Sequence, residues 1–169
     1  MSALYRVRQF ASALVAQWRP GAIDERPAAE VLSPAELALF RRMSPDERRH
    51  SLAVLARVRA AGHGDPALLA AALLHDAGKT RVRLYVWERP WPVLARAWRP
   101  ELAARWGCGE PRGWRRPFVV AAQHPAWGAE MAAAAGARPA TVALIAAHQS
   151  HGAGAPEGSA ALQAADDES

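Results

Sequence analysis

Cysteine and lysine are almost absent from this chain, since Cys108 is its one cysteine and Lys79 its one lysine. A single cysteine excludes an internal disulfide and fits a reducing compartment. Long apolar runs are also missing, and no window approaches the roughly 20 residues that a membrane span needs. Polar residues interrupt the N-terminal apolar stretch, where a secretory signal would be continuous. We therefore expect a cytoplasmic protein without a membrane span.

β-branched residues and aromatics other than tryptophan are scarce, whereas alanine and leucine are abundant, which predicts helices throughout. The 169 residues, 51% of them hydrophobic, are enough for one domain with a substantial core. Serines before Pro34 and Pro45, each with glutamate at the third helical position, predict helix starts, as does Asp65 before a proline. The predicted fold class is all-α, with helices near 117–124 and 126–135 separated at a proline.

The most informative stretch is 69–79, LAAALLHDAGK, in which an apolar helix ends in His75 and Asp76. A histidine and an aspartate at the end of a buried helix carry an uncompensated charge cost, and a divalent metal can compensate it by binding both. Lys79 follows closely, although arginine fills the other 20 basic positions. A compact ammonium differs from a guanidinium where a point charge must meet a phosphate. We therefore predict a metal site with a functional Lys79 beside it.

Four further metal-capable side chains end or interrupt apolar helical stripes: His50, His124, His148 and Asp166. Taken singly, each of these histidines is more typical of a hydrogen-bonded core residue than of a ligand. Taken together, they indicate several helices that converge on one polar centre, which is the geometry of a metal site in a helix bundle. Asp167 is the alternative ligand in this helix. Asp166 is preferred because it directly follows the small residues expected on the packed side.

Segment 81–116 is rich in arginine and tryptophan, with nine arginines against three glutamates. This balance suits an anionic substrate, nucleic acid or a membrane surface, and it also suits an ordinary solvated face. Trp87, Trp91 and Trp98 are expected to form a packed helix stripe, because base-stacking aromatics usually lie on a sheet or in a groove. Nucleic acid is therefore not expected as a partner, and the tryptophan-rich surface would suit a homodimer. Arg115 and Arg116 are interpreted either as steering an anionic substrate or as solvated charges.

The ordered set His50, His75-Asp76, His124, His148 and Asp166 resembles the HD-domain superfamily of metal-dependent phosphohydrolases, and His75-Asp-Ala-Gly-Lys79 is close to that superfamily's His-Asp-Ile-Gly-Lys motif. The resemblance covers about residues 44–167. It implies an HD-domain helical bundle over 44–169, preceded by an N-terminal helical extension, 1–43, packed on the core. Residues 3–18 within that extension have the spacing of an amphipathic helix.

The resemblance also implies the site. One ion would be bound by His50, His75, Asp76 and Asp166, and a second by His124 and His148, with Asp76 bridging the two. Asp76 and Lys79 would be the catalytic residues. Nitrogen and carboxylate ligands favour Mn, Fe, Co, Ni or Zn. The implied reaction is attack of a metal-bridged hydroxide on a phosphomonoester or phosphodiester, with a small anionic, phosphate-containing substrate of nucleotide type.

Two departures from related branches narrow this expectation. Gln149 stands where the cyclic-dinucleotide phosphodiesterases have a further histidine, and their Gly-Tyr-Pro signature is missing, so a cyclic di-GMP substrate is not expected. Two alternatives remain open: a di-iron oxygenase with the same ligand set, and a non-catalytic metal-binding or nucleotide-binding protein.

Overall fold

The computed structural model describes residues 22–150, 152 and 154–169, and within these ranges the fold is all-α, as predicted. The described residues form α-helices and three short 3₁₀ segments (77–81, 86–88 and 113–115), with no strand among them. The helices are α1 (Arg26–Ala29), α2 (Pro34–Arg41), α3 (Pro45–Ala60), α4 (Pro66–Leu74), α5 (Pro90–Trp98), α6 (Pro100–Trp106), α7 (Arg116–Ala134), α8 (Pro139–Ala147) and α9 (Ser159–Asp167). None of them is long and apolar enough to cross a membrane. The predicted helix at 3–18 lies outside the described residues.

The predicted helix starts are confirmed, because side chains satisfy the free N–H groups that open α2, α3 and α4. The Ser33 hydroxyl accepts from the backbone N–H of Glu36, and the Glu36 carboxylate accepts from the N–H of Ser33. Ser44 and Glu47 form the same reciprocal pair at α3. At α4 the carboxylate of Asp65 accepts from the N–H of Leu68.

Helix α4 lies at the centre of the domain. Seven of its nine residues are buried, and it contacts α2, α3, α8 and α9. A helix that is apolar on all sides is stable only when neighbours surround it. Leu32, Leu39 and Phe40, from the chain before residue 44, belong to the same buried cluster as the residues of α4. The described part of the N-terminal region therefore shares one core with the rest.

The predicted break between 117–124 and 126–135 is wrong, because α7 runs unbroken through Pro125. A proline removes one backbone hydrogen bond and crowds the preceding turn. Here buried residues on both sides of it, from Phe118 and Val119 to Ala129 and Ala132, anchor the two halves of the helix in the interior. Packing on both sides therefore outweighs the local cost of the proline.

The prediction that Trp87, Trp91 and Trp98 form a packed stripe is also wrong. Their exposed fractions are 68%, 53% and 74%, and no residue of α5 or α6 is fully buried. The two helices contact each other and lie on α7, which covers one side of the pair. The spacing of the tryptophans is helical, but the side that they occupy faces solvent.

Arg115 and Arg116 hold this helix pair to α7, and neither is a free charge. The Arg116 guanidinium forms a bidentate pair with Glu88, at 3.1 and 2.6 Å. Burial alone would raise the pKa of Glu88, but the Arg116 guanidinium and a backbone N–H outweigh it and lower the pKa. Arg115 donates to the carbonyl oxygens of Arg105 and Cys108. Besides the two interpretations from sequence, substrate steering and simple solvation, both arginines have a structural role.

Two glycines bring the turn after α4 directly against α7. A Cβ on Gly78 would collide with the carbonyl oxygen of His124 and would lie 2.6 Å from the backbone nitrogen of Gly128. A Cβ on Gly128 would lie 3.2 Å from the nitrogen of Gly78. The two backbones can approach this closely only because neither residue has a side chain.

We expect Gly78→Ala to lower the free energy of unfolding by about 2 kcal/mol or more, because α7 must move away from the turn. Gly64→Ala is the matched control, since a Cβ there meets nothing within 4 Å, and it should change stability by less than about 1 kcal/mol. Urea denaturation followed by circular dichroism measures both. Equal effects of the two substitutions would contradict the close approach.

Candidate metal centre

Five helices bring the predicted ligands together. His75 caps the C-terminal end of α4 and Asp76 follows it, while His148 caps the C-terminal end of α8. The remaining three lie within helices: His50 in α3, His124 in α7 and Asp166 in α9. Helices α4 and α8 are apolar and pack against each other, and the histidines at their C-terminal ends are buried. All six predicted metal ligands therefore lie in one cluster.

The first group of donor atoms contains His50, His75 and Asp76, whose potential ligand atoms lie within 4.8 Å of one another. Asp166 adjoins this group. Its Oδ1 is 2.8 Å from Nε2 of His50, a hydrogen-bond distance, and 3.5 Å from Nε2 of His75. The His50 and Asp166 side chains are each 31% exposed, whereas His75 is buried. The first group therefore has an inner side, at His75, and an outer side, at His50 and Asp166.

The second group contains Asp76, His124 and His148, again within 4.8 Å of one another. Oδ1 of Asp76 lies 3.4 Å from Nε2 of His124, while its Oδ2 lies 3.7 Å from Nε2 of His75. The ring centroids of His124 and His148 are 5.1 Å apart. Asp76 thus belongs to both groups, with one oxygen toward each.

Backbone carbonyls orient three of the imidazoles. Nδ1 of His75, His124 and His148 lies 3.1, 3.0 and 2.8 Å from the carbonyl oxygens of Ala72, Val120 and Ile145. A carbonyl can only accept, so Nδ1 must carry the proton in each ring, and Nε2 of the neutral ring keeps its lone pair. Ligating histidines in metalloproteins are typically fixed in this way by their second nitrogen.

The donor set fits a metal ion. Two atoms bound to one ion at about 2.0 to 2.2 Å lie roughly 3 to 4 Å apart. The separations of 3.4, 3.5 and 3.7 Å between His75, His124 and the two carboxylates fall in this range and are too long or too strained for good hydrogen bonds. Nε2 of His75 is buried without any hydrogen-bond partner. A buried polar atom of this kind is costly unless something binds it, and a cation would do so. The buried histidine and aspartate groups could therefore hold metal.

The pKa values of the groups in the cluster shift in different directions. Burial would raise the pKa of Asp76, but Lys79 and then His75 hold it well below its usual value. Burial, reinforced by the charge of His75, lowers the pKa of His148 to about 4, so this ring is neutral at neutral pH. In His75 the carboxylates of Asp76 and Asp166 outweigh burial and raise the pKa. Ionised carboxylates and the neutral ring of His148 suit a metal site, and His75 would give up its proton on binding an ion.

No protein-family model, curated protein or solved structure matches this chain.

Lys79 lies at the open side of the cluster. Its Nζ is 2.6 Å from Oδ2 of Asp76, and 37% of its side chain is exposed. Burial would lower the pKa of Lys79, but the carboxylate of Asp76 outweighs it and raises the pKa. The ammonium of Lys79 is therefore charged, beside Asp76 and within reach of solvent.

Sequence reasoning missed two features of the site. Gly78 and Gly128, which set the distance between Asp76 and His124, could have been suspected only as helix breakers. Gln149 was noted as a departure from a histidine, and its Nε2 lies 3.4 Å from Nε2 of His124. Because amide nitrogen and oxygen are assigned from hydrogen bonding, the flipped rotamer would bring an acceptor to the same position. The departure at Gln149 marks this position in the sequence, but not its distance from His124.

We expect protein stripped with a chelator to bind two Mn²⁺ or Zn²⁺ ions per chain in isothermal titration calorimetry, with a rise in the melting temperature. His75→Gln and His124→Gln should each weaken binding at least about tenfold. His63→Gln is the control, because His63 is exposed and lies outside both groups. Weaker metal binding in the control, or unchanged metal binding in the two variants, would contradict the assignment of the site. A single ion would leave His124 and His148 as structural residues.

Proposed function

We propose that this chain is a metal-dependent phosphohydrolase of the HD-domain superfamily. The observation that supports the proposal most directly is the position of Asp76, with one oxygen toward each donor group and the ammonium of Lys79 2.6 Å from Oδ2. The ligand order along the chain, from α3 through α9, supports the family, and the shared carboxylate supports two ions over one.

In this proposal His50, His75, Asp76 and Asp166 would hold one ion, and His124 and His148 would hold the second together with Asp76. Bound divalent ions supply a water of lowered pKa and neutralise phosphoryl oxygens. The protein's own contribution is to hold the imidazoles by their Nδ1 bonds, so that no reorganisation is needed when the substrate arrives. The carboxylate of Asp76 would accept a hydrogen bond from the attacking water and so orient it.

Lys79 would bind a non-bridging oxygen of the substrate. Its ammonium is paired with Asp76 in this structure, and its partial exposure allows it to reach a group bound at the outer side of the cluster. A lysine suits this role because its compact, mobile charge can follow a phosphoryl oxygen during the reaction. When Asp76 binds metal, Lys79 loses part of its attraction to that carboxylate and becomes available to the substrate.

Charge explains why the substrate should be an anion. Metal ligation needs neutral imidazoles, so the charges of the protein groups in a loaded centre would be two negative, from Asp76 and Asp166, and one positive, from Lys79. Two divalent ions would therefore make the centre strongly positive, and a phosphate ester would compensate that excess. A neutral substrate would leave it uncompensated in a partly buried site, which is costly.

We expect the Mn²⁺-loaded protein to release nitrophenol from p-nitrophenyl phosphate or bis(p-nitrophenyl) phosphate, and phosphate or nucleoside from a nucleotide panel. Lys79→Gln should lower kcat by about 10²-fold through the loss of one charge on the phosphoryl group, while metal affinity stays the same or increases because a competitor for Asp76 is gone. Asp76→Asn should abolish both activity and tight metal binding. Steady-state kinetics and calorimetry on the same preparations measure these effects.

His63→Gln should leave kcat, KM and metal content unchanged. Lys79→Arg separates charge from shape, and it should restore only part of the activity because a guanidinium is larger and planar. Bound iron with oxygen consumption and no phosphate release would favour the oxygenase alternative. Nucleotide binding without turnover of any substrate would favour a non-catalytic sensor, and either result would contradict the proposal.

A further inference from the structure

All the exposed large hydrophobic residues of the described chain lie in one segment. They are Tyr85, Val86, Trp87, Trp91, Val93, Leu94, Trp98 and Trp114, which we call the aromatic face. Trp91, Leu94 and Trp98 follow one another at spacings of three and four residues, so they share one side of α5. The rings of Tyr85 and Trp87 are stacked, with centroids 6.0 Å apart. Exposed apolar surface concentrated in this way usually marks an interaction site.

Two members of the aromatic face help to hold the α5–α6 pair, since the Arg116 guanidinium lies over the Tyr85 ring and Trp114 packs edge-on against Trp106 and Phe118. Glu88 and Arg116 join the start of the pair to α7. At its end, the amide of Gln123 donates to the carbonyl oxygens of Gly107 and Gly109. The exposed tryptophans of α5 take part in neither attachment. Their exposure therefore has no structural explanation within the described chain.

The same segment carries arginines that have no ion-pair partner among the described residues. Arg83, Arg89, Arg96, Arg99 and Arg105 form no ion pair with any described residue, whereas two of the three glutamates of the segment are already paired, with Arg112 and Arg116. An occupant of the aromatic face must therefore accept tryptophan and leucine side chains and also supply negative charge.

We propose that the aromatic face binds the surface of an anionic lipid bilayer. Tryptophan and tyrosine rings are stable at the level of lipid headgroups, and valine and leucine enter the boundary of the acyl chains. Unpaired arginines attract anionic headgroups and can bind their phosphates with two hydrogen bonds. The binding is peripheral, since it needs no helix that spans the membrane.

Charge makes a second copy of the chain the poorer occupant. A two-fold interface would bring the same segment of each copy together, so that its excess of arginines would meet an equal excess. Nucleic acid would satisfy the arginines, but it offers little to exposed Val86, Val93 and Leu94, which a bilayer accommodates. The combination of aliphatic, aromatic and cationic side chains in one exposed segment therefore favours lipid.

The test is co-sedimentation of the full chain with vesicles made of equal parts phosphatidylglycerol and phosphatidylcholine, compared with phosphatidylcholine alone. We expect binding to the anionic vesicles, weaker binding at high salt, and little binding to neutral ones. Trp91→Ala with Trp98→Ala should weaken binding at least about tenfold. Arg96→Gln with Arg99→Gln should weaken it about 10- to 30-fold. All four side chains are exposed, so these variants should keep the wild-type circular dichroism and melting temperature.

Arg42→Gln with Arg138→Gln is the matched control, because it removes the same charge from exposed positions outside the segment and should leave vesicle binding almost unchanged. Three results would overturn the proposal. The first is absence of vesicle binding. The second is vesicle binding that the tryptophan and segment-arginine variants leave intact. The third is a protein that does not bind vesicles but forms a dimer in analytical ultracentrifugation, or binds single-stranded oligonucleotides, and loses that association in the tryptophan variant.

Discussion

The carboxylate of Asp76 is buried, with only 4% of the residue exposed, and the surrounding structure is organised around compensating its charge. An isolated buried carboxylate would cost several kcal/mol or would become protonated. Here the ammonium of Lys79 pairs with one oxygen, and the imidazoles of His75 and His124 approach from two sides at separations suited to coordination. Removing Lys79 would take away the cation in hydrogen-bond contact with this carboxylate.

That requirement explains why the most apolar helices carry the most polar residues at their ends. Helices α4 and α8 pack against each other, and each ends in a histidine whose Nδ1 lies at hydrogen-bond distance from a carbonyl oxygen of its own last turn. Such a ring cannot rotate without losing that contact, so helix packing fixes its orientation. The contact of Gly78 with α7 then fixes the third ring, His124, relative to Asp76. The geometry of the centre is therefore as rigid as the core itself.

The sequence predicted the features that depend on local pattern. The all-α fold class and the helix starts at Ser33, Ser44 and Asp65 follow from capping residues and alanine content, and the convergence of the six ligands was expected from their order along the chain. Prediction from sequence failed where packing between distant parts of the chain determines the structure. Pro125 lies inside a helix because both flanks are buried, and the helical spacing of Trp91 and Trp98 gave no indication of which side faces the core. The distance between two backbones at Gly78 likewise depends on residues far apart in the sequence.

Helix α7 connects the two unusual regions of the molecule. Gln123 holds the end of the α5–α6 pair through the carbonyl oxygens of Gly107 and Gly109, and the next residue, His124, enters the centre. On one side of this helix lie charges buried in the core, and on the other lie tryptophans exposed to water. Both arrangements lower the stability of an isolated chain in water, and departures of this kind from ordinary packing are typical of functional positions. One helix therefore contacts both regions, with Gln123 and His124 as consecutive residues.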